Sequence, residues 1–139
     1  MNYLIKTHKP GMTYKGTHFF VLSRGRNTGK VLDAPCPNCW VIHCSDVTEK
    51  LRIMTIINAM HVTKRLHRNL IGSVIEYIRL SDFRKILHAY LVVLQDRKDF
   101  DQHILQIDKL GILIEQYRQM QEKLILMISI TNLKLLKGV

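Results

Sequence analysis

The last quarter of this chain carries an apolar stripe at helical spacing, and no other feature constrains the fold as strongly. From Phe100 to Leu136 there is no proline, and apolar side chains recur three and four residues apart. The regular members of the stripe are Leu110, Leu113, Tyr117, Met120, Leu124 and Met127. This alternation is typical of a helix that packs along its length against another helix. We therefore expect residues 99–139 to form a long helix that packs on its own chain or pairs with a second copy.

Residues 1–98 mix short strand signals with two shorter helical stretches. This predicts a globular α+β domain that contains a small twisted sheet. The strand candidates are residues 2–6, 18–23, 30–33, 40–44 and 73–80. Pro10-Gly11 is a turn signal in the first loop, and Pro35 and Pro37 make the connector before residue 40 non-helical.

Two helices are predicted in this domain. Asp46 is a suitable N-cap for the first helix, and Glu49 stands where it completes a capping box. Apolar side chains at helical spacing carry this helix to residues 66–69, and Gly72 ends it. The second helix is expected to begin from a cap at residue 81 or 82.

Positive charge is in strong excess. The 139 residues contain 21 Lys and Arg against 11 Asp and Glu, a formal net charge of +10. Such an excess favours an anionic partner, most simply nucleic acid. Hydrophobic residues make up 47% of the chain, which argues against a disordered protein.

The cations form two clusters. Residues 23–30 are a basic turn between apolar runs, where glycines let backbone amides approach a ligand and cations favour an anionic one. The second cluster ends the first helix, where Lys64 and Arg68 are expected four apart on one face, close to Gly72 and Ser73. The alternative is that both clusters are solvated, because cations also suit a helix C-terminus.

Cysteine and histidine are close together in Cys36-x-x-Cys39, His43 and Cys44, which suggests a zinc site. Zinc sites usually pair two separated ligand clusters, and a strand would point His43 and Cys44 to opposite faces. A thioredoxin-like role is weaker, because the motif precedes a strand and not a helix. We favour buried cysteines around a proline turn, with no metal and no cofactor.

Catalytic signatures are absent from the sequence. It has no Gly-x-Ser-x-Gly, no His-Glu-x-x-His and no complete Walker A loop, since Val31 follows Lys30. The apolar residues 124–130 are too few to span a membrane, and the N-terminus lacks the apolar region of a signal peptide. We expect a cytoplasmic binding protein without enzymatic activity.

Three parts of the chain resemble the target recognition domain of type I restriction–modification specificity subunits. They are the strand and Ser23-Arg24-Gly25 turn, the Gly72-Ser73-Val74-Ile75 motif within residues 70–83, and the C-terminal helix ending Leu133-Lys134-Leu135-Leu136. The resemblance covers roughly residues 19–138. The block of residues 24–39 also resembles an uncharacterised family of small proteins found on bacterial mobile elements.

The resemblance implies a non-catalytic DNA-binding protein that corresponds to half of a specificity subunit. DNA contact would fall on Arg24, Arg26, Lys30, Lys64, Arg68 and Ser73. It also implies methyltransferase or restriction subunits as partners, and a homodimer through the C-terminal helix, because a full subunit has two recognition domains and two spacer helices. The chain departs from the family at residues 85–90, where a Pro-Leu-Pro segment is usual. The alternative is a protein-interaction module that docks on or mimics such a subunit without reading DNA.

Overall fold

The fold belongs to the α+β class, as predicted. The structure, a computed structural model, describes residues 3–95, 97 and 99–136. Residue 2 of the first predicted strand, residue 98 at the predicted domain boundary and residues 137–139 lie outside these ranges. The strands are β1 (Tyr3–Thr7), β2 (His18–Leu22), β3 (Val31–Leu32) and β4 (Cys39–Cys44). The α-helices are α1 (Val47–Val62), α2 (Leu80–Gln95) and α3 (Phe100–Leu136), and a short 3-10 helix spans His67–Asn69.

The four strands form one antiparallel sheet in the order β1-β4-β2-β3. β4 is central, pairing with β1 from Tyr3 opposite Cys44 and with β2 from His18 opposite His43. These strands coincide closely with the four N-terminal strand candidates, because each is a short β-branched and aromatic run between turn signals. The chain divides into two compact units, residues 1–101 and residues 102–139.

The core of the first unit lies between one face of the sheet and helices α1 and α2. Alternate strand residues supply the sheet side of this core, and apolar residues three and four apart supply the helix side. The rings of Trp40 and Phe83 pack with centroids 4.5 Å apart. The main buried members are Ile5, Phe19, Val21, Ile42, Ile53, Ile57, Met60, Leu87 and Leu91.

The opposite face of the sheet carries a second, smaller cluster. Phe20, Cys39 and Val41 are buried there, and Tyr14 from the loop after β1 packs against them. The Tyr14 hydroxyl lies 2.9 Å from Nδ1 of the buried His8. This loop therefore covers part of a sheet face that would otherwise expose aromatic side chains.

Helix α1 begins at a cap that uses one residue more than predicted. The Asp46 carboxylate accepts a hydrogen bond of 2.8 Å from the Glu49 amide, as expected of an N-cap. The Glu49 carboxylate accepts from the amide of Ser45 at 3.1 Å and from its hydroxyl at 2.6 Å. The Glu49 amide and the Ser45 hydroxyl hold the pKa of Asp46 below its ordinary value. Both carboxylates therefore stabilise the first turn of α1.

Helix α1 ends at Val62, earlier than predicted. The Lys64 amide donates to the carbonyl of His61 at 3.0 Å, and the Arg65 amide donates to the carbonyl of Met60 at 2.9 Å. This pair of bonds is a Schellman motif, and it places Lys64 in the left-handed region with φ of 54°. Because the helix has already ended, Lys64 and Arg68 do not share a helix face, and that prediction is wrong.

The strand predicted over residues 73–80 is also wrong. Only Tyr77 pairs there, exchanging hydrogen bonds of 2.8 and 2.9 Å with Ile71, and α2 already begins at Leu80. Gly72 has φ of +105°, and a Cβ at this position would lie 2.7 Å from the Ile75 carbonyl oxygen. This close approach turns the chain back on itself, so residues 72–76 form a loop.

Helix α3 runs from Phe100 to Leu136, within the residues 99–139 predicted to form a long helix. At about 1.5 Å per residue, its 37 residues make a helix some 55 Å long. Arg118 forms ion pairs with Glu115 at 2.8 Å and Glu122 at 3.1 Å along the helix surface. None of the helices within the described ranges has the length and apolar character needed to cross a membrane.

Candidate nucleic-acid interface

The basic turn between β2 and β3 has a defined backbone. The amides of Leu22 and Gly29 donate across its base to the carbonyls of Lys30 and Leu22, at 2.9 and 2.8 Å. Within it, the buried Thr28 donates its amide and its hydroxyl to the carbonyl of Gly25, at 3.0 and 2.6 Å. Gly25 and Gly29 have positive φ angles of 80° and 88°. The turn therefore presents its polar side chains from a fixed main chain.

The turn sits directly against the end of α1. The carbonyl oxygen of Thr28 lies 3.1 Å from Nδ1 of His61. A Cβ on Gly29 would lie 2.4 Å from Cδ1 of the buried Leu66, so a larger residue at this position would force the Leu66 side chain to shift. These contacts bring the two predicted basic clusters together although 33 residues separate Thr28 from His61.

A third segment joins the turn from the other side. Arg24 forms a β-bridge with Tyr77, and the Gly25 amide donates to the Glu76 carbonyl at 2.7 Å. The Arg24 guanidinium lies over the Tyr77 ring, 5.8 Å from its centroid, within the range of a cation–π interaction. Ser73 lies in the exposed loop of this segment.

The predicted contact residues are all exposed. They are Arg24, Arg26, Lys30, Lys64, Arg68 and Ser73. None of the five cations forms an ion pair with a carboxylate in the ranges that the structure covers. Their charge is therefore available to an anionic partner.

The charge excess belongs mainly to the first unit. Residues 1–101 contain 16 Lys and Arg against 8 Asp and Glu, a formal charge of +8. Residues 102–139 contain 5 against 3, a formal charge of +2. We therefore expect the first unit to attract a polyanion. Residues 102–139 carry little net charge and are better suited to apolar contacts.

Two residues of this surface were not among the predicted contacts. Tyr77 was assigned to a strand, but it anchors Arg24. His61 lies in the last turn of α1, and its ring Nδ1 is 3.1 Å from the Thr28 carbonyl oxygen. Neither contact has a local sequence signal, because each joins residues more than thirty positions apart in the chain.

The cysteines show no arrangement suited to a metal. Cys44 packs against the main core while His43 lies on the opposite face near His18, as strand alternation predicts. Across the described ranges, no three histidine, cysteine or acidic side chains come close enough to hold a metal ion.

The thiols are also poorly suited to nucleophilic chemistry. Burial raises the pKa of Cys44 to about 11, with a further contribution from Glu49. Burial likewise raises the pKa of Cys39, whose Sγ donates to the Cys36 carbonyl at 2.9 Å. Protonated thiols are weak nucleophiles and weak ligands, so these side chains serve as small buried groups.

The predicted oligomerisation residues on α3 are all exposed. Relative exposure runs from 44% at Leu113 to 64% at Tyr117. The set is Leu110, Leu113, Tyr117, Met120, Leu124 and Met127, and Ile114 and Ile128 widen the same apolar face. Exposed apolar surface of this extent typically marks an interaction site.

Comparison with known proteins gives one relationship. No curated protein and no solved structure matches the chain. A family profile matches residues 5–135, which takes in part of β1, the other three strands and nearly all of α3. The chain therefore belongs to the family of unknown function DUF6943.

Proposed function

We propose that this protein binds DNA through a basic surface formed by the turn between β2 and β3 and by the end of α1. The observation that carries the proposal is the contact of Thr28 with His61 and of Gly29 with Leu66. This contact places two cation clusters on adjoining loops. Because their side chains are exposed and free of ion pairs, they can neutralise phosphates without first breaking internal contacts.

The mechanism is phosphate neutralisation. Each cation that contacts a phosphate of duplex DNA releases one counterion condensed on the DNA. The surface offers five such cations, which are Arg24, Arg26, Lys30, Lys64 and Arg68. The logarithm of the binding constant is then expected to fall with the logarithm of salt concentration with a slope of about −4.5. Ser73 and the polar groups of the turn would contact the backbone or base edges.

The test is DNA binding over a salt series. We would measure fluorescence anisotropy of a labelled 30-bp duplex between about 50 and 200 mM salt, where a slope of this size is readily resolved. Replacing Arg24, Arg26 and Lys30 with Gln is expected to reduce the magnitude of the slope by about 2.7.

A matched control loses the same charge elsewhere. The exposed Lys6, Lys9 and Lys15 lie in and after β1, and their replacement with Gln lowers the net charge equally. If the two triple variants bind DNA equally weakly, net charge alone accounts for binding and the proposed surface is wrong. If the unsubstituted protein shows no salt-dependent binding, the DNA-binding function itself is wrong.

We further propose that two copies pair through α3. Fully burying a Leu, Ile or Met side chain is worth about 1.5–3 kcal/mol, so half-exposed ones gain about 1 kcal/mol each. The eight apolar residues of this face would give a pair on the order of 16 kcal/mol. Association costs about 4–15 kcal/mol, which leaves a favourable balance. The low charge of residues 102–139 removes most of the repulsion between like helices.

The test of pairing is the molar mass in solution. Leu113→Asp combined with Leu124→Asp is expected to give a monomer in sedimentation equilibrium. Ile112→Asp combined with Gln119→Asp adds the same charge on the other side of α3 and is expected to leave the dimer intact. A dimer with the first pair of substitutions, or a monomer without any substitution, would contradict the pairing.

The wider biological role follows from the resemblance to specificity subunits. We propose a cytoplasmic protein, encoded on a mobile element, that acts as half of such a subunit and engages methyltransferase or restriction subunits. The second candidate is an interaction module that occupies those subunits without contacting DNA, and the exposed face of α3 favours it. A stable complex with a methyltransferase subunit, together with a failure to bind DNA, would decide for the second.

A further inference from the structure

The loop of residues 72–76 exposes two apolar side chains at its tip. Val74 has a relative exposure of 93%, the highest among the large hydrophobic residues of the described ranges, and Ile75 has 62%. Apolar residues so fully exposed gain nothing in the isolated fold. Their position is explained if a partner covers them.

The base of this loop is held firmly. Tyr77 pairs with Ile71 on one side and with Arg24 of the basic turn on the other. The Ile78 amide adds a contact of 3.4 Å to the Ser23 carbonyl, and Ile78 itself is buried. An apolar tip on a fixed base can enter a partner without the cost of ordering a flexible segment.

Cations lie near the base of the loop. Arg24 stacks on the Tyr77 ring at the foot of the loop, and Arg26 continues the turn from there. Arg68, in the 3-10 helix, is three residues before Ile71. A partner that suits this surface carries negative charge outside and apolar surface within reach, which describes the phosphates and stacked bases of DNA.

We propose that Val74 and Ile75 insert between base pairs of duplex DNA from the minor groove. Small apolar wedges of this kind unstack one base step and kink the duplex by roughly 20–90°. An anionic lipid surface has a similar chemistry, but anchoring there needs more buried apolar surface than two side chains provide. This inference rests on the proposed DNA-binding function and adds a distortion of the DNA to it.

The test separates the wedge from phosphate contact. A duplex of about 20 bp, whose ends are about 68 Å apart at 3.4 Å per base pair, carries a donor and an acceptor at its ends and reports bending as increased energy transfer. The protein is expected to bend this duplex, and Val74→Ser combined with Ile75→Ser is expected to abolish bending while the salt slope of binding is retained. The control, Val47→Ser combined with Val93→Ser, removes two exposed valines from α1 and α2 and is expected to bend DNA normally.

A gain-of-signal variant covers the case in which the serine variant folds poorly. Trp40 is buried, so a tryptophan introduced as Val74→Trp would supply the exposed emission. Its emission is expected to be quenched when it stacks between bases. Unchanged emission in the DNA-bound state would overturn the wedge.

The remaining outcomes are distinguishable. DNA binding with an intact salt slope but no bending, or bending that survives Val74→Ser with Ile75→Ser, overturns the wedge and leaves the proposed function standing. Absence of DNA binding overturns both. Binding to vesicles of phosphatidylserine and phosphatidylcholine that depends on Val74 and Ile75, without DNA bending, overturns the wedge in favour of a membrane surface.

Discussion

Lys64 offers a perturbation in which charge and stability are expected to change in opposite directions. It is the only non-glycine residue in the described part of the chain with a positive φ, and it occupies the position of the Schellman motif where glycine is most common. The left-handed conformation costs a non-glycine residue about 1–2 kcal/mol. A glycine avoids this cost but loses about 0.4–1 kcal/mol through the greater freedom of the unfolded chain.

Lys64→Gly is therefore expected to raise the free energy of unfolding by about 0.5–1 kcal/mol. For a unit of about 100 residues this corresponds to an increase of roughly 3–5 °C in Tm. The same substitution removes one of the proposed phosphate contacts, so the magnitude of the salt slope should fall by about 0.9. The measurements are thermal unfolding by circular dichroism and the anisotropy titration.

Lys64→Gln is the matched control for this experiment. It removes the charge but keeps the left-handed strain, so it should weaken DNA binding equally without raising Tm. If Lys64→Gly is no more stable than the unsubstituted protein, the strain assigned to this position is wrong. If the salt slope is unchanged in both variants, Lys64 is not a DNA contact.

Two further predictions concern the turn and the outer sheet face. Gly29→Ala combines left-handed strain with a clash against Leu66, so we expect the free energy of unfolding to fall by about 2–4 kcal/mol and DNA binding to weaken. Urea denaturation measures the first effect and anisotropy the second. Unchanged stability would contradict the close approach of Gly29 to Leu66. Burial, and then the neighbouring His18 and Lys6, lower the pKa of His43, so the unfolded state binds the proton more readily just below pH 6.5. The free energy of unfolding should therefore fall as the pH drops from 7 to 5, and His43→Gln should reduce this dependence. If the variant shows the same pH dependence as the unsubstituted protein, His43 protonation does not contribute to it.

The sheet and the long helix were predictable because each leaves a periodic signal in local sequence. β4 alternates its side chains between two apolar clusters, and α3 repeats its stripe over 37 residues. The fold class and the presence of a long C-terminal helix were confirmed for this reason. A hydrophobic pattern that repeats along a helix or strand predicts that element even where single residues depart from it.

The incorrect predictions lie where the backbone conformation of one residue determines the direction of the chain. Lys64 ends α1 by adopting a conformation that lysine rarely takes, so no sequence signal marks the end there. Residues 74–78 have the composition of a strand, but Gly72 turns the chain before them and only Tyr77 forms β-bridges. Tertiary contacts outweigh local propensity in both cases.

The candidate surface was predictable as two lists of cations, but its assembly was not. The two cation clusters are brought together by the contact of the Thr28 carbonyl with the His61 ring and by the close approach of Gly29 to Leu66. Such long-range contacts between single residues leave no periodic pattern. The charge clusters themselves were visible because basic residues crowd into two short stretches.

Different residues of the basic turn determine its main-chain shape and the side chains that it exposes. Gly25, Thr28 and Gly29 set its shape through main-chain bonds and close packing, whereas the side chains at residues 24, 26, 27 and 30 are exposed or half-exposed and contribute little to that shape. Substitutions at residues 24, 26, 27 and 30 can therefore change the charge that the turn presents while its main-chain shape is retained.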